Sequence, residues 1–272
     1  MEIVLNIHVR LVMILLNKKY FFFDIDGTLT DHRTKEIVPS AQSALDKLLL
    51  AGHFVGIATG RAHYKAVDFM NEIGLENMVC SGGSGLVING ELVQNIPLDL
   101  IRAKNILKEA EQLEYGILLM LDDSIKVYAK NDRFREQVGP RKEPTTYIID
   151  PNLDFETLET VYKIYVSVPS EEENLLTLKE TLGYLRFEPE YLMFQYDQKN
   201  QGILDMMSYL DAPLNDVVVF GDDYNDLVMF DSVWTNIAMG NACLELKNKA
   251  SYITDSNVED GIYKACEYFG WF

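Results

Sequence analysis

Asp24-Ile25-Asp26-Gly27-Thr28-Leu29-Thr30 follows directly on Tyr20-Phe21-Phe22-Phe23. The aromatic run predicts a buried strand, and the glycine marks the turn that ends it. Side chains two residues apart on an extended chain point the same way, so Asp24 and Asp26 leave the strand end together. Gly27 permits a sharp turn and brings backbone amides close to a ligand. Two carboxylates at the carboxyl end of a strand suit a nucleophile, an acid/base partner and a cation site. A strand that merely ends in an Asp-Gly turn has the same local sequence, so the rest of the chain must decide.

Downstream, Pro39-Ser40 opens an amphipathic segment to Ala51, with Leu45, Leu48 and Leu49 on one face and Gly52 closing it. His53–Ala58 predicts a second short buried strand ending at Thr59-Gly60-Arg61. A helix over 62–73 and a third strand, Met78-Val79-Cys80, run into Ser81-Gly82-Gly83-Ser84-Gly85. Strands alternating with helices of this length predict a parallel sheet covered on both faces. From Leu86 the rhythm changes. Short alternating runs at Leu86-Val87-Ile88, 125–128 and 162–166, with helical stretches over 100–114 and 171–182, predict an antiparallel α+β insert. The βα rhythm returns near Gln201 with a helix to Leu210, then Val217-Val218-Val219-Phe220 and Gly221-Asp222-Asp223-Tyr224-Asn225-Asp226. Beyond it come a helix over 227–230, a strand over 235–239, a helix over 244–249, a strand over 251–254 and a terminal helix.

Composition bounds the partners. Among 272 residues, Lys plus Arg number 24 against 42 Asp plus Glu, a net charge of −18 that argues against a nucleic-acid backbone as partner. Small phosphorylated ligands remain open, because only the local field matters for them. Three cysteines at 80, 243 and 266 show no pairing pattern and suit reduced thiols in a cytoplasmic protein. Ile3–Leu16 is broken by Asn6, His8 and Arg10 and falls short of the roughly 20 apolar residues of a spanning helix, so no membrane partner is expected. Its apolar residues alternate as in a strand; equally, Met13 could be the natural start.

Asp24-Ile25-Asp26-Gly27-Thr28, Thr59-Gly60-Arg61 and Gly221–Asp226 occur in order, each at a strand end. Together they resemble the haloacid dehalogenase (HAD) superfamily. Ala238-Met239-Gly240-Asn241-Ala242 and Thr254-Asp255-Ser256-Asn257 with Glu259-Asp260-Gly261 are similar to its Cof-type branch, whose subclass IIB cap follows the third strand. The resemblance covers residues 20–272. It implies an α/β fold: a Rossmann-like parallel-sheet core of 13–84 and 196–272, an α+β cap of 85–195, and an extension of 1–12.

The same resemblance implies a phosphohydrolase acting on a small phosphorylated metabolite, a sugar phosphate or similar, as a monomer or weak homodimer. Asp24 would be the nucleophile, forming an aspartyl-phosphate. Asp26 would be the acid and then the base, with a pKa raised above its neighbour's. Magnesium would be held by Asp24, the main chain of Asp26 and Asp222, with Asn225 and Asp226 in support. Thr59 and the Gly60 amide would bind phosphoryl oxygens beside Gly27; Arg61 would face phosphate or form a salt bridge. Cof-type relatives carry Lys-Gly where this chain reads Gln201-Gly202, so Lys199 is the expected substitute, with a weakened enzyme as the alternative. Ser81-Gly82-Gly83 stands where relatives commonly have Asn-Gly, as a pocket wall or a hinge. Arg133, Arg135, Arg141 and Lys142 are the densest basic patch of the insert, and the histidines are expected to be structural. A phosphomutase of the same fold and a metabolite-binding protein remain alternatives.

Overall fold

The computed structural model describes residues 18–272. The strand pattern of Ile3–Leu16 and the alternative start at Met13 lie outside the described residues. Among those described, no helix is long and apolar enough to cross a membrane.

β1 (Tyr20–Phe23) is the centre of the first sheet. Phe21 and Phe23 are buried on one face and Phe22 on the other, which is how a strand covered on both sides reads. The chain continues through α1 (Pro39–Leu50), β2 (Phe54–Ala58), α2 (His63–Glu72), β3 (Met78–Cys80) and the hairpin strands β4 (Gly85–Ile88) and β5 (Glu91–Asn95). Pro39 starts α1, where a missing N–H costs nothing, and Ala41, Ala44, Leu45 and Leu48 form its buried stripe. There follow α3 (Leu100–Gln112), β6 (Ile117–Met120), β7 (Lys126–Ala129), α4 (Arg133–Gln137), β8 (Thr146–Ile149), β9 (Lys163–Val166), β10 (Leu185–Glu188) and β11 (Tyr191–Phe194). The last stretch holds α5 (Lys199–Tyr209), β12 (Val217–Gly221), β13 (Thr235–Ala238), α6 (Leu244–Lys249), β14 (Tyr252–Ile253) and α7 (Gly261–Phe269).

Two compact units result, one of residues 18–61, 65–94 and 198–272, the other of 62–64 and 95–197. The first carries an eight-stranded sheet in the order β14-β13-β12-β1-β2-β3-β4-β5, parallel from β14 to β3. Phe23 pairs with both Phe220 and Ile57, so Asp24, Asp222 and Thr59 all emerge at one edge of adjacent strands. Leu86-Val87-Ile88, expected among the insert strands, instead pairs antiparallel with β3. Alternation alone does not tell which sheet a strand joins, and the tight link to β3 brings this one back.

The second unit has the order β10-β11-β9-β6-β7-β8, antiparallel except for the β7–β8 pair. Helix α3 buries Ala103, Ile106, Leu107 and Ala110 against one face, and Phe134 of α4 packs on the other. The helix expected over 171–182 is two 3-10 turns, Ser170–Leu175 and Lys179–Thr181. Glu109 of α3 is the reason: its carboxylate accepts from the N–H groups of Thr177 and Leu178 at 2.8 and 2.9 Å, amides that a continuous helix would need. The helix expected over 227–230 is likewise a 3-10 turn, Tyr224–Asp226, continued by i→i+3 bonds into Leu227 and Met229. The basic patch is spent internally. Arg141 pairs with Glu143, Lys142 with Glu188, Arg135 with Asp132 and Arg133 with Glu114.

His53 pins the C-terminus to the first sheet. Its Nδ1 accepts from the Lys19 N–H at 3.0 Å, its Nε2 faces the Trp271 carbonyl at 2.8 Å, and the Phe21 ring lies against it. Only the neutral ring satisfies both bonds. Burial, aided by the charges of Lys19 and Lys18, holds its pKa below the ordinary 6.5 despite the Trp271 bond. Because the folded pKa is the depressed one, the contribution is complete above the unfolded value and lost as pH falls below it. Replacing His53 by Gln should therefore lower the melting temperature more at about pH 7.5 than at about pH 5.5. An equal or larger gap at the acid pH, measured by calorimetry, would contradict this role.

Candidate active site

Asp24 follows the last residue of β1, and its N–H donates to the carbonyl of Phe220 on β12 at 3.0 Å, extending the ladder one residue beyond the strand. Its buried carboxylate accepts from the ammonium of Lys199 at 2.8 Å. The same ammonium donates to Asp226 at 2.6 Å. Lys199 is only 1% exposed, a burial that a lysine tolerates when paired. Desolvation alone would lower its pKa, but the charges of Asp226 and Asp24 outweigh it and raise the value.

Asp226 organises the second acidic turn. One of its oxygens receives Lys199; the other accepts from the N–H groups of Asp222 and Asp223 at 2.9 and 3.2 Å, closing a capping box with Asp223. Both oxygens being occupied, Asp226 shapes the turn while Asp222 faces the site. Asn225 sits in the same turn, half-buried. Asp222 accepts from the Thr28 hydroxyl at 2.8 Å and from the Asn241 amide at 3.3 Å.

Carboxylate oxygens of Asp24, Asp222 and Asp226 lie within 4.8 Å of one another. Three carboxylates face one ammonium, so when ionised they leave two negative charges uncompensated. Burial first, and then the Asp226 charge, raise the pKa of Asp24 well above the carboxylate range and that of Asp222 to about 6. That deficit matches one divalent cation, and an all-oxygen donor set suits a hard ion such as magnesium.

Asp26 behaves differently. It is partly exposed and held by Arg61 through two bonds, Nε to Oδ2 at 3.0 Å and Nη2 to Oδ1 at 2.7 Å. Burial would raise its pKa, but the guanidinium bond and charge win and hold it below the ordinary value. The expected order, with Asp26 above its neighbour, is therefore reversed in this structure. The cause is Arg61, which forms a salt bridge with Asp26 here.

Thr59 is buried and its hydroxyl accepts from the Arg61 N–H at 3.1 Å, a local turn bond, with Gly60 between them. Gln201, where the sequence led the lysine to be sought, is exposed and donates to Asp205 on its own helix at 2.7 Å. Helix α5 starts at Lys199, so the lysine stands at the helix mouth.

Several contributors had no assigned task. Thr28 is buried against Asp222, while Asn241 also donates to the Gly27 carbonyl at 2.9 Å. Asn257 donates from its backbone to Asn241 and from its side chain to the Thr30 carbonyl, bracing the turn after Asp26. These asparagines lie in the two late motifs, so the signal was present without a task attached. His32, expected to be structural, reaches within 3.5 Å of Asp222, and a lone loop histidine carries no signal for that.

A family model for haloacid dehalogenase-like hydrolases matches residues 21–266. The chain belongs to that family. It is 30% identical over 267 residues to the candidate phosphatase YkrA of Bacillus subtilis (strain 168), covering 94% of this chain and 99% of the relative. Similarity of 23% extends to the pyridoxal phosphate phosphatase YbhA of Escherichia coli (strain K12), over 88% of this chain and 94% of the relative. Among solved structures, a protein from Geobacillus kaustophilus HTA426 is 26% identical, with a TM-score of 0.79 over 94% of this chain and all of that one. The subclass IIB sugar phosphatase BT4131 shares the fold, with a TM-score of 0.74 at 24% identity over 94% of this chain and 100% of that chain.

Removing Lys199 tests the charge balance. Without divalent cations, Lys199→Ala should cost about 3–5 kcal/mol, because two buried carboxylates lose their partner. Gln201→Ala should stay within about 0.5 kcal/mol, as exposed substitutions do. Urea unfolding checks both, and comparable losses would contradict the arrangement.

Proposed function

We propose that this family member is a magnesium-dependent phosphohydrolase that removes phosphate from a small phosphorylated metabolite through an aspartyl-phosphate. The observation that carries the reading is the convergence of Asp24, Asp222 and Asp226 on the single ammonium of Lys199, at the edge where parallel strands end. Asp24 would attack phosphorus, forming the Asp24–phosphorus bond as the bond to the leaving oxygen breaks. Asp26 would give that oxygen a proton, then take one from the water that hydrolyses the intermediate. In the resting site Arg61 keeps that carboxyl ionised, so the guanidinium would have to turn from Asp26 toward the arriving phosphate before Asp26 takes up the proton it gives. Lys199, the Thr59 hydroxyl and the amides of Gly27 and Gly60 would compensate charge on the phosphoryl oxygens.

Asp24, Asp222 and the main chain of Asp26 would hold magnesium, with Asn225 and Asp226 in support; the ion supplies positive charge for the phosphoryl group. Sugar phosphates and phosphorylated ring compounds are the substrate class to try first, since relatives carry the names sugar phosphatase, pyridoxal phosphate phosphatase and 5-amino-6-(5-phospho-D-ribitylamino)uracil phosphatase. We place the enzyme in the cytoplasm, as a monomer or weak homodimer.

Phosphate release across a panel of such metabolites, with and without magnesium, tests the proposal. Release should require the metal and vanish in Asp24→Asn, which removes the nucleophile at constant volume. Turnover that persists in that variant, or phosphate moved within the substrate without release, would overturn it.

A further inference from the structure

The Ser81–Gly83 turn takes no part in the chemistry above, yet it is bonded to both segments that do. Ser81 N–H donates to the Arg61 carbonyl at 2.7 Å and Gly82 N–H to the Thr59 carbonyl at 3.1 Å. On its other side, the Gly82 carbonyl accepts from the N–H of Gln198 at 2.7 Å, one residue before Lys199. One turn of backbone therefore connects the loop of Thr59 and Arg61 to the mouth of the lysine helix.

The contact is too close for side chains. Gly83 has φ +110, and a Cβ there would lie 2.1 Å from the Gln198 carbonyl oxygen and 3.1 Å from the Lys199 amide nitrogen. Gly202 meets it from one turn into α5, where a Cβ would be 2.4 Å from Cγ1 of Val79, 2.8 Å from the Gly83 carbonyl oxygen and 2.9 Å from its Cα. At Gly83 only backbone groups stand in the way, so the helix start would have to move. Lys199 begins that helix, and its ammonium must meet Asp24 and Asp226 at 2.8 and 2.6 Å with no solvent to make up a shortfall.

We propose that Gly83, with Gly202 opposite it, is a positioning residue for Lys199: the bare backbone contact sets how deep the ammonium sits between the two carboxylates. The catalytic consequence rests on the phosphohydrolase reading; the geometric one does not. A glycine that served only the fold would change stability alone. A glycine that acts through the lysine changes the state of that lysine and loses its effect once the lysine is gone.

The test is Gly83→Ala in the full chain, with folding checked by circular dichroism and melting. Acetylation by acetic anhydride, read by peptide mass spectrometry, reports on Lys199 without any turnover. Lys199 should react on the order of tenfold faster in the variant, while half-buried Lys247 of the same unit keeps its rate. With phosphatase activity in hand, Gly83→Ala should lower kcat about 10²-fold with little change in KM, the scale of an ångström misplacement. Added to Lys199→Ala, the same change should cost nothing more. Unchanged Lys199 protection, or losses that multiply in the double variant, would overturn the proposal. Absence of activity in the unmodified protein would sink the phosphohydrolase reading and leave the acetylation result to decide the clamp. If Gly83→Ala does not fold, Gln198→Gly frees the backbone that makes the same contact and removes only an exposed side chain. It should raise Lys199 reactivity in the same direction, and an unchanged rate would count against the clamp.

Discussion

A lysine ammonium shut off from water must find negative charge, and around Lys199 that requirement joins three separate parts of the chain. Asp24 comes from the end of β1, Asp226 from the turn after β12, and the lysine itself from the start of α5. Removing two charges from water costs more than their attraction returns unless the geometry is good, so a stability gain alone does not explain such a site. The third carboxylate, Asp222, leaves the cluster two positive charges short. In the proposed function a divalent cation would supply that charge, at the carboxyl edge of a parallel sheet where ligands of such sheets bind.

Backbone takes as large a share in this as side chains. Asp226 spends one carboxylate oxygen on the amides of Asp222 and Asp223, fixing the direction in which Asp222 points. Asn241 and Asn257 tie the carbonyls of Gly27 and Thr30, so the turn after Asp26 is braced by groups that never need to touch a substrate. Arg61 does the equivalent for Asp26 with a two-point bond. Each acid of the candidate site thus has its own holder, and the pKa values move apart accordingly: burial raises Asp24, while Arg61 lowers Asp26 against burial.

Most of the first unit was legible in the sequence because its strands are buried on both faces and each ends in a glycine or aspartate turn. Tyr20–Phe23 and Val217–Phe220 show this, and Asp24, Asp26 and Asp222 are found at their ends. The second unit was less legible. Its strands alternate, and alternation does not say which sheet a strand joins; Gly85–Ile88 went to the first. Nor does local propensity foresee that Glu109 would take the amides of Thr177 and Leu178 and break the helix there. At the site, the family resemblance puts its lysine at Gln201, and Lys199, expected in its place, begins the helix and bonds Asp24 and Asp226. The Asp26–Arg61 pair depends on the separation of two loops, a distance that no single motif encodes.

In the proposed mechanism Asp24 carries the phosphoryl group. The direct measurement uses acetyl phosphate, whose leaving group needs no proton, with magnesium and the Asp26→Asn variant, in which water is no longer activated. After acid quench and peptide mass spectrometry, one phosphoryl adduct should appear on the peptide containing Asp24 and be absent when Asp24 is also changed to Asn. An adduct on another residue, or none while phosphate is still released at the wild-type rate, would contradict it.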